Sequence, residues 1–337
     1  MNNSPIDVVI TWVDGSDPKW LEEKNKYTSE MYAEVATANY RFQSWDNLQY
    51  IFRGIEKFMP WVNKVFLVTC GQVPNFLNLN CEKLVFVKHE DFIPKEYLPT
   101  FNSSVIELNL HRIKELSENF ILFNDDLFPI SSVEETYYFR DDMICDQAVE
   151  TIVVPAPKTI SVYQCQSLNN LRVINSHFEK KKIIDSNRDK WFNDNYSKGD
   201  IERNKNLEYW NYFTGFRTHH MAQSYKKSTY EILWKLEKEA LDRTSRNKFR
   251  DYTDVTVYLA RYWQLCTGDF YPRKTNGKMY RIFESDINEI CEFIINQMDI
   301  MISIEDVYLD GDDFDITKAR INEALDKILP EKSVFEK

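Results

Sequence analysis

The sequence predicts an α/β fold in which a mostly parallel sheet carries helices on both faces and continues into a helical C-terminal part. Four short, almost uninterrupted apolar runs alternate with helix-like segments before residue 125, as buried parallel strands do. Beyond residue 216, apolar residues recur at helical spacing instead. Ligands of such sheets bind at the carboxyl ends of the strands, so the turns after the runs are candidate sites.

Turn and cap residues bound the predicted elements. Ser44 is a suitable helix cap, Pro60 a suitable helix stop, and a further helix begins near Asn102 or Ser103. The predicted strands span residues 6–13, 65–69, 84–87 and 120–123, and the later helices span 224–240, 255–265 and 317–329.

Composition excludes several classes of protein. The 337 residues include 42 Lys and Arg and 53 Asp and Glu, and the net charge of −11 argues against a nucleic-acid binder. The 8 glycines form no G-x-G pattern, which excludes a Rossmann dinucleotide fingerprint and a P-loop. A bound phosphate must therefore be held by side chains and a metal ion.

Cysteine and apolar patterns indicate the compartment. None of the 6 cysteines forms a C-x-x-C motif, which is typical of free thiols in a reducing cytoplasm. Neither a signal peptide nor a run of about 18 apolar residues is visible. We expect a cytoplasmic protein that at most attaches to the inner face of the membrane.

Acidic residues in and after two predicted strands are candidate ligand contacts. Asp7 interrupts an apolar strand, where an unpaired carboxylate is costly to bury, so it has a partner or opens into a cleft. Asp14 lies in a turn at the carboxyl end of the same strand, where a nucleotide is expected. Asp125 and Asp126 follow the fourth strand and can hold Mg²⁺ or Mn²⁺, although ordinary turns also contain such residues.

Four further residues are suited to proton transfer or phosphate binding. Glu107 and His111 are four residues apart and share one helix face, although His111 suits a core position equally well. His220 precedes a predicted helix, where an imidazole can act as a base or contact an anion. Arg250 suits bidentate phosphate binding, or a plain surface position.

An acidic segment at residues 310–315 is similar to a calcium loop at first sight. It lacks the glycine and the glutamate that an EF-hand places at loop positions 6 and 12, which excludes that motif. Asp312 can still supply a metal ligand or cap the last helix.

Taken together, four blocks of the chain resemble the Stealth family of sugar-phosphate transferases. That family includes bacterial capsular and exopolysaccharide phosphotransferases and is similar to the catalytic part of animal GlcNAc-1-phosphotransferase. The first block reads Ile-Asp-Val-Val-Ile-Thr-Trp-Val-Asp-Gly-Ser-Asp-Pro, and the second closes with Phe-Asn-Asp-Asp. The blocks span residues 6–18, 41–128, 219–262 and a more divergent C-terminal tail.

The resemblance implies a nucleotide-sugar-binding, GT-A-like fold and a set of site residues. Catalytic roles would fall to Asp7, Glu107, His220 and Arg250. Substrate or phosphate contacts would come from Arg172, Asp14 and His111, and the ligands of Mg²⁺ or Mn²⁺ from Asp125, Asp126 and Asp312.

The implied reaction transfers a hexose- or HexNAc-1-phosphate from a UDP-sugar to a hydroxyl of a growing capsular or cell-surface polysaccharide. A phosphodiester forms, UMP leaves, and a lipid-linked repeat unit is the expected acceptor. His220 is the first choice for the base, with Glu107 orienting it or acting as the base itself, and Asp7 lies beneath the nucleotide. The alternatives are a metal-dependent glycosyltransferase that releases UDP and a non-catalytic saccharide-binding protein.

The same reading divides the chain into three regions of one composite catalytic domain. Residues 1–150 form the donor-binding half, residues 151–215 an irregular insertion or lid, and residues 216–337 the helical catalytic half. A basic cluster at residues 180–182 in the insertion is either a solvated face or a surface for the acceptor or the membrane.

Overall fold

Four strands of the protein coincide with the four apolar runs, and several further strands are also present. A computed structural model describes residues 4–28, 37, 45–155, 162–282, 285–305 and 311–337, without the side chains of residues 311 and 312. The described strands are β1 (Ile6–Thr11), β2 (Val65–Thr69), β3 (Leu84–Lys88), β4 (Asn119–Phe123), β5 (Leu127–Pro129), β6 (Phe139–Arg140), β7 (Met143–Asp146), β8 (Gln223–Lys226), β9 (Phe270–Pro272), β10 (Lys278–Arg281) and β11 (Met301–Glu305).

Helices connect these strands and make up most of the second half of the chain. The described helices are α1 (Pro18–Tyr27), α2 (Leu48–Phe58), α3 (His89–Phe92), α4 (Ser103–Asn109), α5 (Val162–His177), α6 (Lys180–Ser186), α7 (Arg188–Trp191), α8 (Lys198–Leu207), α9 (Lys227–Leu236), α10 (Lys238–Arg246), α11 (Tyr258–Thr267), α12 (Ile287–Ile295) and α13 (Gly311–Ile328).

The central sheet has the strand order β3-β2-β1-β4-β8. β1 pairs in parallel with β2 and β4, and β2 pairs in parallel with β3. Only β8, at the edge, runs antiparallel to its neighbour β4. The predicted α/β class, the mostly parallel sheet and the helical C-terminal part are therefore confirmed, and the architecture is consistent with a GT-A-like fold.

A small second sheet brings the C-terminal part of the chain to the carboxyl edge of the central sheet. β5 follows β4 after three residues and pairs with β11, which in turn pairs with β10. Its register sets Ser303 opposite Leu127, and the Ile304 amide donates to the carbonyl of Asp126 at 3.1 Å. Glu305, the next residue, is thereby placed beside the turn that follows β4.

Two regions differ from their prediction. The segment at 224–240 begins as strand β8 and only then continues into α9, because its first residues fill the open hydrogen-bonding edge of β4. Residues 151–215, expected to be irregular, contain α5 to α8. The buried face of α5 includes polar Gln166 and Asn170, which hides the apolar period in the sequence. The predicted cap Ser44 lies outside the described residues.

Asp7 is fully buried near the amino end of the central sheet, away from the carboxyl edge. Its carboxylate accepts hydrogen bonds from Asn63 Nδ2 at 2.8 Å, the Lys64 amide at 3.2 Å and the Ser117 amide at 2.8 Å. These donors precede β2 and β4, so Asp7 ties the starts of three strands together. About 13 Å of strand separates Asp7 from the carboxyl end of β1, which argues against the expected place beneath a nucleotide.

We expect Asp7→Ala to lower the free energy of unfolding by about 2 kcal/mol, because it leaves two partly buried backbone N–H groups and the Asn63 amide without an acceptor. Urea unfolding followed by circular dichroism measures the change, and Asp194→Ala, at an exposed carboxylate, serves as the control. A variant as stable as wild type would contradict the structural role and return Asp7 to the list of catalytic candidates.

Candidate active site

Two neighbouring cavities lie at the carboxyl edge of the central sheet. The first has a volume of about 490 Å³ and is lined by Asp14 and Asp126 among other residues; we call it the edge recess. The second has a volume of about 800 Å³ and is lined by Glu107, His220 and Arg250 among others; we call it the histidine cavity. Six of the predicted site residues, with Asp125 also lining the edge recess, thus line two adjoining spaces.

The turn that contains Asp14 is held in the edge recess by one glutamine. The Asp14 amide donates to Gln72 Oε1 at 2.9 Å, and Gln72 Nε2 donates to the carbonyl of Asp14 at 2.9 Å and to Asp17 Oδ2 at 3.1 Å. The Asp14 carboxylate accepts from the amide and hydroxyl of Ser16 at 2.9 and 2.6 Å. The turn is therefore rigid, and the structure adds Gln72 as a positioning residue that sequence reasoning missed.

One hydrogen bond connects the two cavities. Nε2 of His220 lies 2.8 Å from Oδ2 of Asp126, and the two side chains are only 30% and 18% exposed. The sequence predicts a helix after His220, but in the structure strand β8 follows it. Because β8 is antiparallel to β4, residues just before β8 lie beside residues just after β4. Sheet topology thereby joins two residues that are 94 positions apart.

The contact with Asp126 sets the charge of His220. The Asp126 carboxylate raises the pKa of His220 to about 9, against the opposing effect of burial, and Glu305 adds to the rise. His220 is therefore an imidazolium at neutral pH. Its neighbour His219 behaves oppositely, because burial and the nearby Arg217 lower the pKa of His219 to about 4.

Glu107 supplies a buried carboxyl group to the histidine cavity. It lies on α4, and only 7% of the residue is exposed. Burial raises the pKa of Glu107 to about 7, although the positive charges of Arg250 and His220 favour its ionised form. A carboxyl group with a pKa near neutrality is suited to accept and return a proton.

Arg250 enters the histidine cavity beside Glu107. Its Nη2 atom donates to Ser103 Oγ at 2.8 Å, and Ser103 begins the same helix that carries Glu107. The guanidinium group is thereby fixed at the amino end of α4. Ser103 belongs to the sequence blocks that indicated the family, but nothing in its local pattern identified it as a contact of Arg250.

The loop that carries Arg250 is anchored by the buried carboxylate of Asp254. This group accepts from Asn102 Nδ2 at 2.9 Å, from Asn247 Nδ2 at 2.7 Å and from the Asp251 amide at 2.8 Å. Asn102 also caps α4 by accepting from the Ser104 amide at 3.1 Å. One hydrogen-bond network therefore orients both Arg250 and the helix of Glu107, and sequence reasoning did not single out Asp254.

Asp125 and Asp126 have the chemistry of partial ligands for a divalent cation. Oδ1 of Asp126 is buried and has no hydrogen-bond partner, which leaves an oxygen available for an ion. Within the described ranges, no group of three or more His, Cys, Asp or Glu side chains could hold a metal ion. The Asp312 side chain lies outside those ranges. Mg²⁺ often uses one or two carboxylates together with substrate phosphates, so these residues fit an ion that a bound diphosphate completes.

Two predicted substrate residues are not brought into either cavity. Arg172 is exposed on α5 and lines neither space. His111 packs against Tyr230 and Trp234, with ring centroids 6.0 and 6.1 Å apart. Burial lowers the pKa of His111 to about 3, so it is neutral. His111 is therefore a partly buried, neutral residue that packs against two aromatic rings outside both cavities.

The C-terminal strands contribute an ion pair that sequence reasoning missed. Arg281 and Glu305, at the ends of β10 and β11, form an ion pair at 2.6 Å and both line the histidine cavity. Neither residue lies in a recognisable motif. Only the parallel register of β10 and β11 places them opposite each other.

The site combines acidic residues at the edge of the sheet with a cavity that contains a buried carboxyl group, a histidine and an arginine. This arrangement is expected of an α/β enzyme with an anionic substrate. Models of the Stealth family match this chain: Stealth protein CR1, conserved region 1, at residues 4–32, and Stealth protein CR2, conserved region 2, at residues 41–147. The chain belongs to the Stealth family, which confirms the resemblance inferred from its sequence.

Relatives are similar over their whole length. The chain is 38% identical to a capsular polysaccharide phosphotransferase, WcwK, of Streptococcus pneumoniae, covering 100% of this chain and 99% of the relative. It is 36% identical to the exopolysaccharide phosphotransferase cps2G of Lactiplantibacillus plantarum, covering 98% and 96%. It is 35% identical to the receptor polysaccharide phosphotransferase WefC of Streptococcus gordonii, covering 98% of both chains.

We expect Asp126→Asn to lower the pKa of His220 from about 9 towards its ordinary value of 6.5, because the carboxylate that stabilises the imidazolium is lost. NMR titration of the imidazole in chelator-treated protein measures this shift. The ion pair also stabilises the fold fully below pH 6.5 and loses its effect as pH rises through about 9. An unchanged titration of His220 in the variant would contradict the contact.

Proposed function

We propose that the protein transfers a hexose- or HexNAc-1-phosphate from a UDP-sugar to a hydroxyl of a growing cell-surface polysaccharide. The Asp126–His220 contact supports this proposal most directly, because it joins a recess suited to a nucleotide diphosphate with a cavity suited to proton transfer. The names of the relatives point to the same class of reaction.

In the proposed reaction the acceptor oxygen attacks the β-phosphorus of the donor, to which the sugar is bonded. A new P–O bond forms while the bond to the bridging oxygen of the diphosphate breaks. UMP leaves with that oxygen, and the acceptor proton passes to a base of the enzyme. The product is a phosphodiester between two sugars, whereas attack on the anomeric carbon would instead release UDP.

Glu107 is the stronger candidate for the base in this structure. The Asp126 carboxylate favours the protonated form of His220, whereas burial raises the pKa of Glu107 to about 7. We therefore propose that Glu107 takes the acceptor proton and that the His220 imidazolium stabilises negative charge on the donor. This reverses the order of preference that sequence alone suggested.

Arg250 and the two aspartates are the proposed phosphate-binding groups. Arg250 would donate hydrogen bonds to phosphoryl oxygens, whose charge rearranges in the transition state. Mg²⁺ or Mn²⁺ on Asp126 and Asp125, when bound, would neutralise the diphosphate. The rigid turn at Asp14 would form the nucleotide side of the edge recess.

The acceptor and the location of the protein follow from this reaction. We propose that the acceptor is a lipid-linked polysaccharide repeat unit and that the protein works in the cytoplasm at the inner face of the membrane. In the described part of the chain, no helix combines the length and apolar character needed to cross a bilayer. Any contact with lipid through these residues would therefore be peripheral.

Product analysis tests the proposed function. The full chain is incubated with UDP-sugars, Mg²⁺ or Mn²⁺ and lipid-linked acceptor, and we expect UMP and a phosphodiester. Arg250→Ala should reduce turnover by about 10²–10³-fold, because it removes a donor from the transition state. Arg172→Ala, a matched change of an exposed arginine, should leave turnover within about twofold. Release of UDP would identify a glycosyltransferase, and equal effects of the two variants would contradict the site.

The base is tested by the pH dependence of kcat/KM. We expect wild-type activity to fall as pH drops below about 7, because protonated Glu107 cannot accept a proton. Glu107→Gln should lower kcat by about 10²–10⁴-fold and remove this acidic limb from the residual activity. Retention of the limb in that variant would assign it to another group, and calorimetric titration with UDP-sugar would check that donor binding is intact.

A further inference from the structure

We propose that an uncharged aromatic surface beside the histidine cavity docks the protein onto an anionic lipid bilayer. Its centre is the loop after α8, where Tyr209, Trp210 and Tyr212 are 90%, 59% and 65% exposed. Beside it, Ile152 and Val154 are 59% and 64% exposed. We call these five residues the docking surface; the proposed role rests on the lipid-linked acceptor proposed above.

The two segments form one continuous surface. The Thr151 amide donates to the carbonyl of Gly215 at 3.1 Å, and the Val153 amide donates to the carbonyl of Thr214 at 3.0 Å. The hydroxyl of Thr214 donates to the carbonyl of Thr151 at 2.7 Å. This antiparallel pairing brings the backbone of residues 151–153 against residues 214 and 215, so the aliphatic segment is held next to the end of the aromatic loop.

The loop is held firmly from beneath. The Lys180 ammonium group donates to the carbonyl of Leu207 at 2.6 Å, on the amino side of the aromatic residues. On the other side, the Asn175 side chain exchanges two hydrogen bonds with the backbone of Phe213, at 2.9 and 3.0 Å. Side chains that project from a fixed backbone lose less conformational entropy on binding.

Composition and charge favour a bilayer over a saccharide as the occupant. Tyr and Trp concentrate at membrane interfaces, and the aliphatic Ile152 and Val154 offer no flat ring or hydrogen bond to a sugar. Residues 151–155 and 209–216 hold no charged side chain, in a chain of which 28% is charged. The two adjoining helices carry exposed Asp185 and Glu202, but their exposed basic residues are more numerous. Those residues are Lys181, Lys182, Lys198, Arg203 and Lys205, and they can approach anionic headgroups.

The docking surface leads directly to the site. Thr218 lies six positions after Tyr212, lines the histidine cavity and forms a hydrogen bond with Tyr163 at 2.8 Å. Six extended residues span at most about 20 Å. A protein held by this surface would therefore keep the cavity close to glycans attached to membrane lipids.

Vesicle co-sedimentation of the full chain tests the proposal without requiring catalysis. Vesicles of phosphatidylcholine and phosphatidylglycerol are compared with pure phosphatidylcholine, and we expect tighter binding to the anionic ones. The triple change Tyr209→Ser, Trp210→Ser and Tyr212→Ser should weaken binding at least about tenfold, because it removes most of the apolar area. A control triple change at Leu79→Ser, Ile232→Ser and Met298→Ser, which are 52%, 43% and 58% exposed, should not.

A second readout reports insertion directly and does not depend on the triple variant's folding. Brominated phosphatidylcholine should quench wild-type tryptophan fluorescence, and Trp210→Phe should remove most of the quenching while it preserves binding. Activity towards a water-soluble acceptor should be equal in wild type and the triple variant. The proposal would be overturned if the wild type did not bind the vesicles, or if the two triple variants bound them equally well.

Discussion

The candidate site depends on the antiparallel pairing of β8 with β4. In an all-parallel sheet, the residues before an edge strand lie at the amino edge, far from the carboxyl ends. Because β8 is reversed, His220 instead reaches the turn that follows β4 and contacts Asp126. The pairing of β11 with β5 adds Glu305 to the same place. Two reversed strands thus concentrate charged groups from distant parts of the chain at one edge.

Electrostatics then differentiates groups that look equivalent in the sequence. His219 and His220 are adjacent, yet burial lowers the pKa of the first, while the Asp126 carboxylate raises the pKa of the second and favours its protonated form. Glu107 is buried beside two positive charges, and these compensate only part of the cost of ionising it. A carboxyl group that titrates near pH 7 beside a fixed imidazolium is a workable acid–base arrangement.

The residues that hold the site in place are as informative as those that line it. Gln72 fixes the turn of Asp14, and Asp254 fixes both Arg250 and the cap of α4. Asp7 plays a comparable part at the opposite edge of the sheet. Three hydrogen bonds to its buried carboxylate explain the presence of Asp7 in the first family block as well as a catalytic role does.

The sequence by itself determined the fold class, the four parallel strands and the family, because apolar runs and multi-residue blocks are local patterns. It also identified Glu107, Asp126, His220 and Arg250 as candidates, since their side chains suit the chemistry. Only the tertiary structure decided their arrangement: it excluded Arg172 and His111 from both cavities and moved Asp7 to the far edge. The reason is physical: strand direction, burial and the pKa values that follow from burial depend on contacts between residues far apart in the chain.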